Sequence, residues 1–467
     1  MKNRRLILIF LLALGVRLGL LYMSHDVLIG SGMSLGHANI ARNLLLGRGF
    51  VSSNEPFLEK ISGDQQKTRK LLDVEDYLPD ISTSQDVSLK PEVNRMTGYS
   101  VLLAMTYFIF GHQRYIYLQV IQAIVDSLSV FMIFWIAGTI FNRKIGLLSA
   151  FLFAIYLPEM RVAVSALHWA WMPFITVLVT YLLIKASVNE SKKMKIYILI
   201  GLIIAIGTYI HALMVLLPVF FGIGIIFNKG FRKGLIATGI MMSTVILLLI
   251  PWIIRNYRIF HRFIPTTVTL WQATWEGFGE FKNPFGAVLD DGTTYKMVID
   301  EGYNVEYGSP EFSDVLKEKV LKVIREHPFW YIGSVIKRIF KITLLLRPDL
   351  GIYSAPYWSE YRAEGGTVLG YFREYPRQFI IRLISMFITG FTFLTALVGI
   401  WLTRAKWKTT ILLVMVPFYF IAENAPLCSD TPPYILPGHF VFLIFTAIIL
   451  EYLYKNWKKF QIKKTGK

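Results

Sequence analysis

Apolar runs at residues 6–22, 115–141, 169–184, 196–210, 213–227, 235–254, 379–402 and 435–453 divide this chain into stretches of membrane-spanning length or close to it. Lysines and arginines fall between the runs in short clusters. Such clusters stay on the cytoplasmic side of a bilayer, so their order assigns each connecting loop to a face. Lys2, Arg4 and Arg5 place the N-terminus inside. Arg143 with Lys144, Lys192 with Lys193 and Lys195, Lys229 with Arg232 and Lys233, and Arg404 with Lys406 and Lys408 follow it there. The basic tail 455–467 ends inside as well. Two long loops, 24–114 and 255–378, are left outside, and most side chains suited to chemistry lie in them.

Bulk properties agree with that reading. A chain that is 54% hydrophobic and 15% aromatic, with a mean hydropathy of +0.49, is too apolar for an ordinary soluble domain. Its formal charge of +18 sits beside apolar spans, which suits anionic membrane lipids. No basic face on a soluble module points to nucleic acid. The single Cys428 excludes an internal disulfide framework. The first apolar run contains Arg17 and lacks a small-residue cleavage site, so it reads as an uncleaved span. The expected fold class is all-α: a polytopic membrane helical bundle of about ten to twelve transmembrane helices. It divides into 1–254, 255–378 and 379–467. The expected location is the cell membrane, multi-pass, with both termini cytoplasmic.

Some apolar segments suit the interface better than a full crossing. Residues 99–110 are too few to span, and letting them cross would place Arg143 and Lys144 outside. Residues 329–346 carry Lys337, Arg338 and Lys341, the pattern of an amphipathic surface helix. No internal repeat is evident, which weighs against inverted-repeat transporters.

The chemistry-bearing stretches follow in order: HANIARNLLLGRGF at 37–50, closed by glycines suited to a helix C-cap; NRMTGY at 94–99; PWIIRNY at 251–257; and EHP at 326–328. Together they resemble the GT-C superfamily of polyprenyl-phosphate-sugar-dependent glycosyltransferases, in the branch of the protein O-mannosyltransferases and the lipid A aminoarabinose transferases. The resemblance runs through most of the chain, strongest over 1–186 and 251–345.

It implies a helical membrane bundle and an inverting transfer at the outer face. The partners implied are a sugar on a polyprenyl phosphate, a glycan, lipid or protein acceptor, and membrane lipids. In such a reaction cations stabilise the departing phosphate and a carboxylate takes the acceptor's proton. Arg255, Arg258, Lys337, Arg338 and Arg95 are the expected phosphate-binding cations, arginine offering a bidentate fork. Relatives carry an acid shortly before an aromatic whose place His37 takes. Here Met33 stands there, between Gly32 and Ser34. Either the base has moved, with Glu92, Asp86 and Asp26 as candidates, or His37 substitutes, or catalysis is lost.

Other residues admit both a bland and a sharp reading. Arg17 and Asp126, ionisable within spans, line a polar cavity or hold helices together. Glu159 is a second acid or a turn residue. His211 is a pocket or a structural residue, and Trp271, Trp275 and Phe278 with Glu276 stack on a sugar or form an interfacial belt. Asp290 and Asp291 read as a turn. No cluster has metal-ligand spacing, although a divalent metal stays open. A transporter or lipid flippase, with Arg17 and Asp126 on its pathway, is the rival from another class, and a non-catalytic GT-C paralogue a third.

Overall fold

The computed structural model of the chain describes residues 4–28, 32–53, 88–111, 114–188, 193–344, 361, 365–428 and 434–464. Helix α1 (Arg4–Leu28) is followed by α2 (Gly32–Leu45), β1 (Val51–Ser53), β2 (Leu89–Pro91) and α3 (Gly98–Phe110). The bundle continues through α4 (Tyr115–Ile140), α5 (Arg143–Ala154), α6 (Leu157–Ala163), α7 (Met172–Val188), α8 (Lys193–Ile210), α9 (Leu217–Lys229) and α10 (Phe231–Phe260). Four shorter helices form the second loop region: α11 (Leu270–Phe278), α12 (Asp291–Asp300), α13 (Pro310–Glu326) and α14 (Pro328–Leu344). Then come α15 (Val368–Glu374), α16 (Pro376–Leu402), α17 (Trp407–Asn424) and α18 (His439–Lys464).

The chain is an all-α membrane bundle. Among the described residues, eight helical segments are long and apolar enough to cross a bilayer. The pair α5 and α6, bent by 60°, makes a further broken span or re-entrant loop. Met194–Ile210 is a shorter apolar helix. Gly98–Phe110 is shorter still and ends at Gly111, whose φ of 71° turns the chain out of the helix.

The intramembrane ions meet each other. Arg17 Nε donates to Asp126 Oδ2 at 2.5 Å, with both side chains essentially inaccessible. Arg17 Nη1 also reaches the carbonyls of Ala13 and Ala154 at 3.2 Å. Glu159 completes the group through a hydrogen bond to Asp126. One guanidinium therefore ties α1 to α4, α5 and α6. Neighbouring helices must satisfy polar groups that lipid cannot, so this cluster fixes their register.

Two features position the loops. Strands β1 and β2 pair antiparallel, with Val51 opposite Pro91, bringing both ends of the first loop together. In the second region, α11 to α14 surround their own core of Phe278, Phe312, Leu316 and Val320. Helix α14 buries Ser334, Arg338 and Ile342 and leaves Phe329, Ile332, Ile336 and Phe340 open. That apolar stripe, at helical spacing beside the exposed Lys337, has the character of a surface-lying helix.

Candidate active site between the two loop regions

Helix α2 carries His37 into the interior. His37 is buried, its Nδ1 lies 2.9 Å from Ser100 Oγ on α3, and its Nε2 shares a hydrogen bond with His168 Nδ1 at 3.1 Å. His168 stacks on His211 with ring centroids 4.8 Å apart, and His211 lies 4.8 Å from Tyr434. The file of rings thus joins α2, the start of α7, the junction of α8 and α9, and the approach to α18. Gly98 permits this approach: a Cβ there would meet the Tyr209 carbonyl at 2.7 Å, beside His211. Burial, then the charge of Arg95, holds His37 well below the usual histidine range. It is neutral at pH 7 and can accept a proton only weakly.

Glu92 and Arg95 sit at the edge of this file. The Glu92 carboxylate accepts from the Asn94 N–H at 2.7 Å and from Arg95 Nη1 at 3.2 Å. Glu92 is buried, whereas about a quarter of the Arg95 side chain, 27%, stays accessible. The guanidinium passes over Gly36 so closely that a Cβ there would meet its Cζ at 2.8 Å. A glycine preceding His37 is what lets Arg95 reach the histidines.

Arg255 shapes the same corner. Its Nη1 donates to the Glu92 carbonyl at 2.7 Å and to Asn256 Oδ1 at 2.8 Å, and its Nη2 donates to the Phe50 carbonyl at 2.9 Å. The guanidinium also lies over Trp252 at 4.9 Å and Phe50 at 5.6 Å. These contacts clamp the backbone on either side of the strand pair to the end of α10. Arg258, one turn on, is exposed.

The second loop region closes on the first. Lys90 Nζ pairs with Glu306 at 3.0 Å, and Gly308 packs against Asn94. Nearby, Gln272 Nε2 donates to Glu276 Oε1 at 2.9 Å, Asp291 Oδ1 at 3.1 Å and the Tyr307 hydroxyl at 3.1 Å. Glu276 and Asp291 share a further hydrogen bond, and Asp291 lies within electrostatic reach of Tyr434. The Asp290–Asp291 pair is therefore more than a turn. Asp290 caps α12 by accepting from the Thr293 N–H at 2.6 Å, and Asp291 joins the carboxyl cluster.

Burial, then the Asp291 carboxylate, pushes Glu276 up to about 8. In an unfolded chain it ionises near 4.5. The stabilisation is complete below 4.5 and is lost as pH rises toward 8, because only the folded state must then surrender a proton it holds tightly. Melting temperature in detergent should therefore fall by several degrees between pH 6 and 9. The Glu276→Gln variant should flatten that slope.

The remaining candidate residues lie apart from this corner or serve the frame. Arg338 is fully buried and donates to the carbonyls of Gly277 at 2.6 Å and Ala425 at 3.2 Å, with Glu280 3.9 Å away. It fastens the second loop region to the end of α17. Lys341 pairs with the same Glu280 at 3.1 Å. Lys337 is exposed, with its Nζ 5.6 Å from the Phe281 ring. Trp275 packs inside the core of the α11–α14 unit, and Trp271 packs against that core under Lys317. Glu159 belongs to the Arg17 cluster. Asp86 lies outside the described residues, as does the side chain of Asp26 within α1. Met33 is exposed at the head of α2, and no carboxylate stands beside it at Gly32 or Ser34.

Sequence reading missed His168, Tyr434 and Asp291. The one signal for His168 was a polar gap, SALHWAW at 165–171, at the head of an apolar run. Among the described residues, no three His, Cys, Asp or Glu side chains converge on a point that a metal ion could fill.

No protein-family model matches the sequence, and no curated protein matches it. Solved structures do. The archaeal oligosaccharyltransferase AglB from Archaeoglobus fulgidus, in complex with an inhibitory peptide and a dolichol-phosphate, is similar with a TM-score of 0.53 and 13% identity, over 100% of this chain and 52% of that one. The chain shares the fold of the part of that protein it matches. The apo form of the Archaeoglobus fulgidus oligosaccharyltransferase is similar with a TM-score of 0.52 and 12% identity, over 100% of this chain and 52% of that one. The same enzyme tethered to an acceptor peptide containing the NVT sequon gives 0.52 and 14%, over 99% and 51%. The chain spans about half the length of the solved structures it matches.

Proposed function

We propose that this chain is a membrane glycosyltransferase that moves a sugar from a polyprenyl-phosphate donor to an acceptor hydroxyl. The observation that carries this reading is the Glu92–Arg95 pair, an acid and an accessible cation held beside buried histidines in the fold shared with that oligosaccharyltransferase. The fold neighbour in complex with a dolichol-phosphate supports a lipid-phosphate donor. A donor anchored in the bilayer presents its phosphate at the interface, where the short helices α2 and α3 sit.

In the proposed step, the acceptor oxygen attacks the anomeric carbon and the carbon–oxygen bond to phosphate breaks. The electron pair leaves on the polyprenyl phosphate, stabilised by Arg95. The hydroxyl proton passes to Glu92. His37 takes a positioning part, since both ring nitrogens are already hydrogen-bonded. Arg255 positions Glu92 through its backbone carbonyl. The acceptor is a glycan, lipid or protein hydroxyl at the outer face of the cell membrane, with both chain termini on the cytoplasmic side. The paired, inaccessible Arg17 and Asp126 favour a structural role over a transport pathway.

Purified protein incubated with polyprenyl-phosphate sugars should retain at least one. The Arg95→Gln variant should weaken retention by about tenfold, the loss expected from one charge-assisted phosphate contact. Unchanged retention would overturn its assignment.

A further inference from the structure

We infer that the cluster around Arg17 is a proton-binding site: Asp126 and Glu159 hold one proton between them, and with the Arg17 cation the group carries no net charge. Arg17 reaches Asp126 from α1, Asp126 stands on α4, and Glu159 stands in the first turn of the short helix α6. None of the three is more than 1% exposed. Bulk water therefore does not screen the group, and its charges must balance from within.

Two counts call for the proton. The first is of donors. Asp126 and Glu159 share a hydrogen bond. An ionised carboxylate only accepts, so two ionised acids cannot make that bond and one of them must carry the hydrogen. As acceptors alone, Asp126 Oδ1 and Glu159 Oε1 stay buried without a donor among the described residues. One proton on either acid supplies it.

The second count is of charges. Among the described residues, Arg17 is the cation that reaches the acids. Its Nε meets Asp126 Oδ2, and its Nη1 is occupied by the carbonyls of Ala13 and Ala154. Two ionised carboxylates against one guanidinium would bury an uncompensated negative charge, which a bound proton removes. The next titratable groups leave the count unchanged. Tyr156 lies within electrostatic reach of Glu159, and its hydroxyl, neutral at pH 7, lies 2.9 Å from His439 Nδ1 on α18. The other nitrogen of His439 is buried without a partner, so a charged ring there would hold an unpaired N–H. The shared proton thus ties α4 to α6, beside the ties that Arg17 makes, and this holds whatever the transfer site does.

Parent-minus-variant infrared spectra of the full chain in detergent at pH 7 test the inference, through the carbonyl stretch of a protonated carboxyl. Glu159→Gln keeps a donor for Asp126 in its amide, and Asp126→Asn keeps the size of the acid, so the frame of the cluster survives in both. Each variant should lose the signal of one protonated carboxyl, because the acid left behind pairs with Arg17 as an ion. The double variant Asp126→Asn/Glu159→Gln should lose no more than either single one. Loss of two carboxyl signals in the double variant would give each acid its own proton and overturn the shared one. An unchanged signal in either single variant would show that the two acids do not depend on each other for the proton, as when a buried water bridges two ionised carboxylates, and would overturn the site.

Discussion

The Glu92→Gln variant should lose about 10²–10⁴-fold in turnover of a polyprenyl-phosphate sugar, the usual worth of a positioned general base, with donor retention nearly unchanged. Glutamine keeps most of the local bonding. Its amide oxygen still accepts from the Asn94 N–H, and the backbone carbonyl still receives Arg255. The loop end therefore keeps its shape. What disappears is the carboxylate able to take a proton from an alcohol at this corner, where His37 is held neutral and hydrogen-bonded on both nitrogens. The His37→Asn variant should be milder in turnover and should lower the melting temperature, since it removes the ring that bridges His168 and Ser100. Equal turnover by Glu92→Gln and the parent would move the base elsewhere, and the Glu276–Asp291 pair would be the next place to look.

The largest stability effect belongs to the Arg17–Asp126 pair. Arg17→Leu should cost about 3–5 kcal/mol, because it strands a carboxylate inside the bundle with no counter-charge. Arg17 also donates to the carbonyls of Ala13 and Ala154, so α1, α4 and α5 all loosen at once. The double variant Arg17→Leu/Asp126→Leu should recover part of that loss, since it removes the opposed charges together and leaves only Glu159 of the cluster. Melting or denaturant unfolding in detergent reads both. A double variant no better than the single one would show that the pair is worth more than its mutual neutralisation. That outcome would reopen a pathway role for the two residues.

The bundle was legible because hydrophobic run length is read directly from the chain. The site was legible only in part. Glu92 and Arg95 stand three residues apart, so their pairing is a local event that spacing can suggest. The ring file of His37, His168, His211 and Tyr434 draws on positions far apart in the chain and exists only after α7, α8 and α18 pack. Arg338 and Lys337 show a different limit. Adjacent residues on a helix point about 100° apart, so one is buried on carbonyls while its neighbour is open. A basic pair on a surface helix carries no mark of which way each will turn. Trp275 shows the same: an aromatic near an interface and an aromatic in a small core have the same local sequence. Arg17 and Asp126 each announce themselves as ions in apolar runs, yet their pairing is a property of helix packing.

The decisive experiment for a donor phosphate held beside Glu92 is photocrosslinking with a polyprenyl-phosphate sugar whose reactive group sits next to the phosphate. Adducts are expected on α2 and on 92–99, competed by unmodified donor and diminished in the Arg95→Gln variant. Adducts confined to the opposite end of the bundle, around Lys229 and Lys233, or adducts indifferent to Arg95, would place the donor elsewhere and refute the proposed site.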